Sequence, residues 1–169
     1  MPATDLLFTE TDSPLGVLLL AGRPSPTAPG GTAIVSLSVP GQKGGATAGP
    51  GWRRAPEAFA EANRQLAAYF AGELREFSLE YAAEGTEFRR RVWDALDAVP
   101  YGATTSYGEL ARRLGASRAA VRAVGGAVGA NPLLVLRPCH RVIGADGSLT
   151  GYAGGLERKR YLLDLELGR

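Results

Sequence analysis

Near residue 85 the hydrophobic pattern of this 169-residue chain changes period, and no other feature restricts the fold as much. Upstream, apolar residues come in short strand-like runs at 6–9, 16–21 and 33–39, the first two joined by a turn at Asp12-Ser13-Pro14. Gly/Pro-rich loops, "GRPSPTAPGGT" and "PGQKGGATAGPGW", separate and follow them. A helix is expected from Pro56 to Phe70, with Phe59, Leu66 and Phe70 on one side, and "AGELREFSLEY" should turn into a short final strand. Downstream the spacing is helical. Phe88, Val92, Ala95, Leu96 and Val99 share a helix face behind Thr86 as N-cap, and Pro100-Tyr101-Gly102 stops that helix. The reading is a mixed α/β (α+β) protein of two domains. Residues 1–84 form a small strand-plus-helix domain and residues 85–169 a mostly helical one.

Two short helices follow. "SYGELARRLG" has Ser106 at its cap and Gly115 at its end, and a second helix runs from Ser117 through "SRAAVRAVGGAVGA". A tight turn between them gives helix-turn-helix form. The second helix is rich in Ala and Gly, although Gly125-Gly126 weaken it. Such a slim helix suits either a narrow groove or close packing on another backbone. Charge bears on the choice. Residues 1–84 carry 6 Lys+Arg against 9 Asp+Glu, whereas residues 85–169 carry 13 against 8. Between Ala103 and Ala145 six arginines face one acid, Glu109. A basic half behind an acidic one suits a polyanion such as nucleic acid, and equally a solvated arginine-rich surface.

The only cysteine and the only histidine are neighbours, Cys139 and His140, in "RPCHRVIG". One cysteine excludes an internal disulfide, and no ligand spacing suggests zinc, so neither metal nor cofactor is expected. Asn131-Pro132 ends the preceding helix, and "LLVL" reads as a short buried strand leading to Arg137 and Pro138. A cysteine becomes a nucleophile when a neighbour takes its proton. His140 is the one side chain of neutral-range pKa. Adjacent strand residues point to opposite faces, so direct contact is not guaranteed, and a water could bridge them. Glu166, on a last helix, is a candidate to orient the imidazole. An inert buried cysteine beside a core histidine fits the same local pattern. The first residues lack a basic region followed by a long apolar run, and no apolar run spans a bilayer. A cytoplasmic protein with a reduced thiol and no membrane partner is expected.

The Pro-Cys-His-Arg-Val core, with "GTEFRRRVWDALDAVPYGATTSYGELARRLG", "RAVGGAVGANP" and the segment running to Glu166, closely resembles the O6-alkylguanine-DNA alkyltransferases. The resemblance covers about Gly85 to Glu166; the N-terminal third matches only in its α/β pattern, which in that family is ribonuclease H-like. It implies irreversible, single-turnover transfer of an alkyl group from O6-alkylguanine, and from O4-alkylthymine, to a cysteine. The target would be double-stranded DNA, bound by a monomer that flips the base through the minor groove. By the same resemblance Cys139 is the acceptor, His140 takes its proton through a water, and Glu166 orients His140. Asn131 ties the recognition helix to the active-site strand. Tyr107 donates to the leaving O6 and crowds the target phosphate. Arg122 fills the vacated stack, with Arg118 as the second candidate. The carbonyls of Cys139 and Val142 accept from the guanine amino group, while Tyr152, Ala153 and Gly154 lie in a loop over the base. Arg137 departs from the family's usual aliphatic residue, which predicts extra charge near the site mouth. Two other functions remain open: a helix-turn-helix sensor of alkyl damage that transfers nothing, and a cysteine hydrolase that turns over without DNA.

Overall fold

The structure, a computed structural model, describes residues 5–169; the first four residues of the expected N-terminal domain lie outside it. The chain divides into two compact units, Met1–Glu84 and Gly85–Arg169.

In the first unit, β1 (Leu7–Thr11), β2 (Leu18–Pro24) and β3 (Thr32–Ser38) form an antiparallel meander, and β4 (Arg53–Arg54) adds to β1 in parallel. β4 has no apolar periodicity to announce it. β2 runs past the expected residue 21 because a bulge between Ala21 and Gly22 lets it pair with β3 as far as Pro24↔Thr32. At Gly22 a Cβ would stand 2.5 Å from the Ala33 carbonyl oxygen, so only glycine fits this close approach. The expected helix begins as a 3-10 turn, Pro56–Phe59, before α1 (Ala60–Phe70). Leu18, Leu20, Ile34, Leu37, Phe59, Leu66 and Tyr69 are fully buried as this unit's core. Phe70, expected on the same helix face, is only half-buried. The expected final strand near residues 71–81 does not form; one bridge, Ile34↔Tyr81, remains. Gln65 of α1 explains this, because its side-chain amide pairs with both the N–H and the C=O of Ser78. A side chain thereby does the work of a ladder.

The second unit opens with α2 (Glu87–Asp97), whose N-cap Thr86 accepts from Arg89 N–H. Val92, Trp93 and Leu96 are its buried face, and the Trp93 indole donates to the Ala127 carbonyl at 2.9 Å. α3 (Tyr107–Arg113) is capped by Ser106. A 3-10 turn, Arg118–Ala120, then leads into α4 (Val121–Gly129), so the α-helix starts later than the expected Ser117. β5 (Thr105–Ser106) and β6 (Val142–Ile143) pair in parallel, two short strands that periodicity did not reveal. α5 (Leu156–Leu167) closes the unit, ended by Gly168 in the left-handed region.

"LLVL" is not the strand it was expected to be. Leu133 forms a single bridge, residues 134–136 are turns, and Val135 takes a positive φ of 70°. Asn131 is the reason. Its amide nitrogen donates to the carbonyls of Leu133 and Arg137 at 3.3 and 3.2 Å, and its oxygen accepts from Leu133 N–H at 2.9 Å. One side chain satisfies a buried backbone that otherwise requires a neighbouring strand. Four residues in a row are buried without strand alternation, and for that reason the period was uninformative.

Candidate active site

Cys139, His140 and Arg141 form a single 3-10 turn, all three buried, between the Asn131-locked turns and β6. The turn aims adjacent side chains differently from a strand, and His140 is fully enclosed. Its Nε2 lies 2.7 Å from Oε2 of Glu166 in the last turn of α5. Arg141 grips the same carboxylate with Nε at 2.7 Å and Nη2 at 3.0 Å, and donates through Nη1 to the Val99 carbonyl.

That arrangement fixes the imidazole's protons. A carboxylate accepts only, and Arg141 keeps Glu166 charged, so Nε2 must carry the hydrogen. Nδ1 of the neutral ring is then a lone pair, and it has no hydrogen-bond partner among the described residues. Burial lowers the His140 pKa, against the pull of Glu166, and holds the ring neutral at neutral pH. Burial also pushes the Cys139 thiol up to about 11, partly offset by a hydrogen bond from Asn131 and the positive charge of Lys159. The resting sulfur is therefore a thiol with a base next in sequence, and becomes a nucleophile only when its proton is taken.

Cys139 opens into a cavity of about 130 Å³. Tyr107, Tyr152 and Ala153 line it together with Gly151, and Gly125, Val128 and Gly129 of α4 form the rest of its wall. The Tyr107 hydroxyl donates to the Thr150 carbonyl at 3.4 Å, a long bond that is easily exchanged. Of the other expected residues, Gly154 is buried but outside the lining, its carbonyl accepting from Arg158 at 3.0 Å. Val142 turns its carbonyl to Lys159. Arg118 and Arg122 are exposed on the turn before α4 and on its first helical turn, away from the cavity. Among the described residues no group of three or more His, Cys, Asp or Glu could hold a metal ion.

Residues 87–168 match the family model of the 6-O-methylguanine DNA methyltransferase, DNA binding domain. A methylated-DNA–protein-cysteine methyltransferase of Mycolicibacterium paratuberculosis is 52% identical over 94% of this chain and 91% of its own length. The chain belongs to the O6-methylguanine-DNA methyltransferase family. A relative of the same description from Methanosarcina acetivorans is 48% identical, over 92% of this chain and 94% of its own. Among solved structures, the Mycobacterium tuberculosis OGT in complex with DNA superposes with a TM-score of 0.85 at 48% identity, covering 96% of this chain and 93% of that one. The enzyme of Pyrococcus kodakaraensis gives 0.66 at 25% identity, covering 95% and 98%.

For a member of this family, two site residues here escape sequence reasoning. Lys159 is completely buried, and its Nζ donates to the carbonyls of Val142, Thr150 and Gly151 at 2.5, 2.7 and 3.0 Å. Burial pulls its pKa down to about 8, yet three acceptors match the three protons of an ammonium. It fastens β6 to the loop bearing Tyr152. Its signal was available: Lys159, Leu162, Leu163 and Glu166 repeat at i, i+3, i+4, i+7, an inward stripe with a charge at each end. Arg141 lies in the Pro-Cys-His-Arg-Val motif, where its type and spacing disclose no task. Arg137 is buried over the Trp93 ring, 4.9 Å from its centre, and paired with Asp97, and its positive charge still reaches the Cys139 thiol.

Proposed function

We propose that this protein reverses alkylation damage by transferring the alkyl group from O6 of guanine in DNA to Cys139, irreversibly and once per molecule. One observation carries the reading: His140 has its Nε2 tied to Glu166 and its Nδ1 lone pair free, next in sequence to a buried thiol at a cavity. The thiol proton passes through a water to Nδ1, leaving an imidazolium held against Glu166. The thiolate attacks the O6 alkyl carbon; the S–C bond forms as the C–O bond breaks, and the electron pair leaves on guanine. Tyr107, at the cavity wall, donates to that oxygen beside a backbone N–H from Ala153, a donor pair suited to a developing anion. The Cys139 and Val142 carbonyls accept from the guanine amino group; Val142 keeps a second lone pair beside its bond to Lys159. A thioether is a poor leaving group, so nothing restores the thiol.

A stacked base cannot reach a buried cysteine, so the nucleotide must be flipped. We read α3 and α4 as a helix-turn-helix whose second helix enters the minor groove, and the first unit as ribonuclease H-like support. The glycines of α4 support the groove over internal packing. A Cβ on Gly126 or Gly129 would meet nothing within 4 Å, and on Gly125 only ordinary contact with the Tyr107 ring. Gly126 therefore serves an open surface, while Gly125 and Gly129 border the Cys139 cavity. Arg122 fills the stack, with Arg118 on phosphate. Methylthymine oxygen should fit the same donors. The requirement for a free thiol supports action in the reducing cytoplasm. Incubation with a duplex bearing O6-methylguanine should add one methyl to Cys139 alone by intact-mass and peptide analysis. Cys139→Ala should bind the duplex as well as the original and gain no mass; methyl on another residue, or repeated turnover, refutes the proposal.

A further inference from the structure

Around Cys139 a second buried polar atom lacks a hydrogen-bond partner among the described residues. It is the phenol oxygen of Tyr152. Its ring lines the same cavity as the thiol, and its hydroxyl lies within electrostatic reach of both Cys139 and Glu166, the two ends of the chain that His140 joins. A buried hydroxyl with nothing to bond to is destabilising, and phenylalanine would avoid that cost. The loop is held rather than loose: Lys159 grips the carbonyls of Thr150 and Gly151 just before it, and Gly155 N–H donates to the Tyr152 carbonyl. So the phenol is positioned where it is by a buried ammonium, with its polar end facing inward. A water bound among Tyr152 Oη, Cys139 Sγ and His140 Nδ1 would find a donor, a donor and an acceptor, the number of polar partners that makes a buried water stable.

We propose that Tyr152 is a positioning residue of the proton relay: its hydroxyl donates to the water through which Cys139 passes its proton to His140. The inference rests on the alkyl-transfer reading. In the step, the S–H proton moves to the water oxygen while one of the water's own protons moves to Nδ1. The water is regenerated, the imidazole becomes imidazolium and the sulfur a thiolate. Tyr152 keeps its proton throughout. Its donation to the oxygen fixes the water's orientation, so that a lone pair faces the thiol and an O–H faces Nδ1. Burial supports this fixed role, since it holds the phenol well above its ordinary pKa and hence as a donor at all working pH. The loop over the base, taken from sequence as a cover, thereby also reaches the chemistry.

The test is Tyr152→Phe in the full chain, with three readouts. At saturating methylated duplex, transfer to Cys139 should slow about tenfold, the equivalent of one hydrogen bond lost from the transition state, with the half-saturating DNA concentration unchanged. Iodoacetamide, which needs no DNA, should label Cys139 more slowly than in the original protein at neutral pH. The two proteins should converge at high pH, where hydroxide ionises the thiol without a relay. The melting temperature should stay level, since phenylalanine fills the same space, which separates slower transfer from a loss of fold. Unchanged transfer, a loss that appears only in the half-saturating concentration, or iodoacetamide labelling slowed equally at every pH would overturn the proposal and leave Tyr152 as a wall of the cavity. If the original protein takes no methyl, the alkyl-transfer reading fails instead, and the iodoacetamide profile still decides whether Tyr152 serves the thiol.

Discussion

Glu166→Gln is nearly isosteric and removes the one charge on which His140 and Arg141 converge. The carboxylate accepts three bonds, one from His140 and two from Arg141, so an amide cannot replace it in either orientation. If the amide nitrogen faces His140, it donates to Nε2, the ring proton moves to Nδ1 and the base is lost. If it faces Arg141, it opposes an N–H. In both cases the Arg141 cation stays buried without a counter-charge, which costs about 3–5 kcal/mol. A chain of this size should then melt roughly 6–20 °C lower. The rate has two bounds. A charge-assisted hydrogen bond behind the imidazolium is worth about 1.5–3 kcal/mol, or roughly 10–150-fold in transfer. The ceiling comes from the thiol: with its pKa near 11 and no base, the thiolate fraction at neutral pH is about 10⁻⁴. Transfer should be followed by intact mass at saturating methylated duplex, below the variant's melting point, with affinity measured in a Cys139→Ser background. His140→Ala combined with Glu166→Gln should be little slower than the worse single variant, since the two act as one unit. A folded Glu166→Gln protein transferring at the original rate, or fully additive losses, would refute the reasoning.

Arg122→Ala should slow repair of paired duplex more than reaction with the free modified base, which has no stack to leave; equal losses would move the assignment to Arg118. Arg118→Ala should weaken DNA binding and flatten its salt dependence by about one unit of slope, as a phosphate contact does. Arg112 and Arg113 already pair with Glu109 and should matter less. Transfer should hold steady from neutral pH downward and fall only below the ordinary imidazole range, because burial lowers the His140 pKa. Stability follows the same sign: below about pH 6.5 the unfolded chain binds a proton that the folded chain does not, so melting temperature drops with acidification, and a pH-independent melt would contradict the buried neutral ring. Lys159→Met should leave three carbonyls without their donor, that of Val142 buried, lower the melting temperature and slow transfer by freeing the loop that carries Tyr152; wild-type melting and transfer would contradict the fastening role.

The two periods in the sequence are local physics, and local physics is what a sequence displays. Strand alternation before residue 85, the Thr86 and Ser106 caps and the spacing of α2 each depend on neighbours a few positions away, and the corresponding elements form there within a few residues. The pairing of Cys139 with His140 was equally plain, because uniqueness and adjacency need no coordinates. Other elements depended on which side chain meets which backbone group, near or far in the chain, and periodicity does not display that pairing. "LLVL" has strand composition, yet Asn131 satisfies its backbone and turns replace the strand. The segment near Ser78 yields its hydrogen bonds to Gln65, thirteen positions away, and stays irregular. The tautomer of His140 is set by a carboxylate that Arg141 keeps charged, and the loop over Cys139 is held by an ammonium buried on α5. By itself the sequence determined which groups could do chemistry and where helices and strands begin, since residue type and spacing act over a turn or two. Only the tertiary structure decided which buried donor meets which acceptor. That choice fixes the proton on one nitrogen of His140 and leaves the other for the thiol.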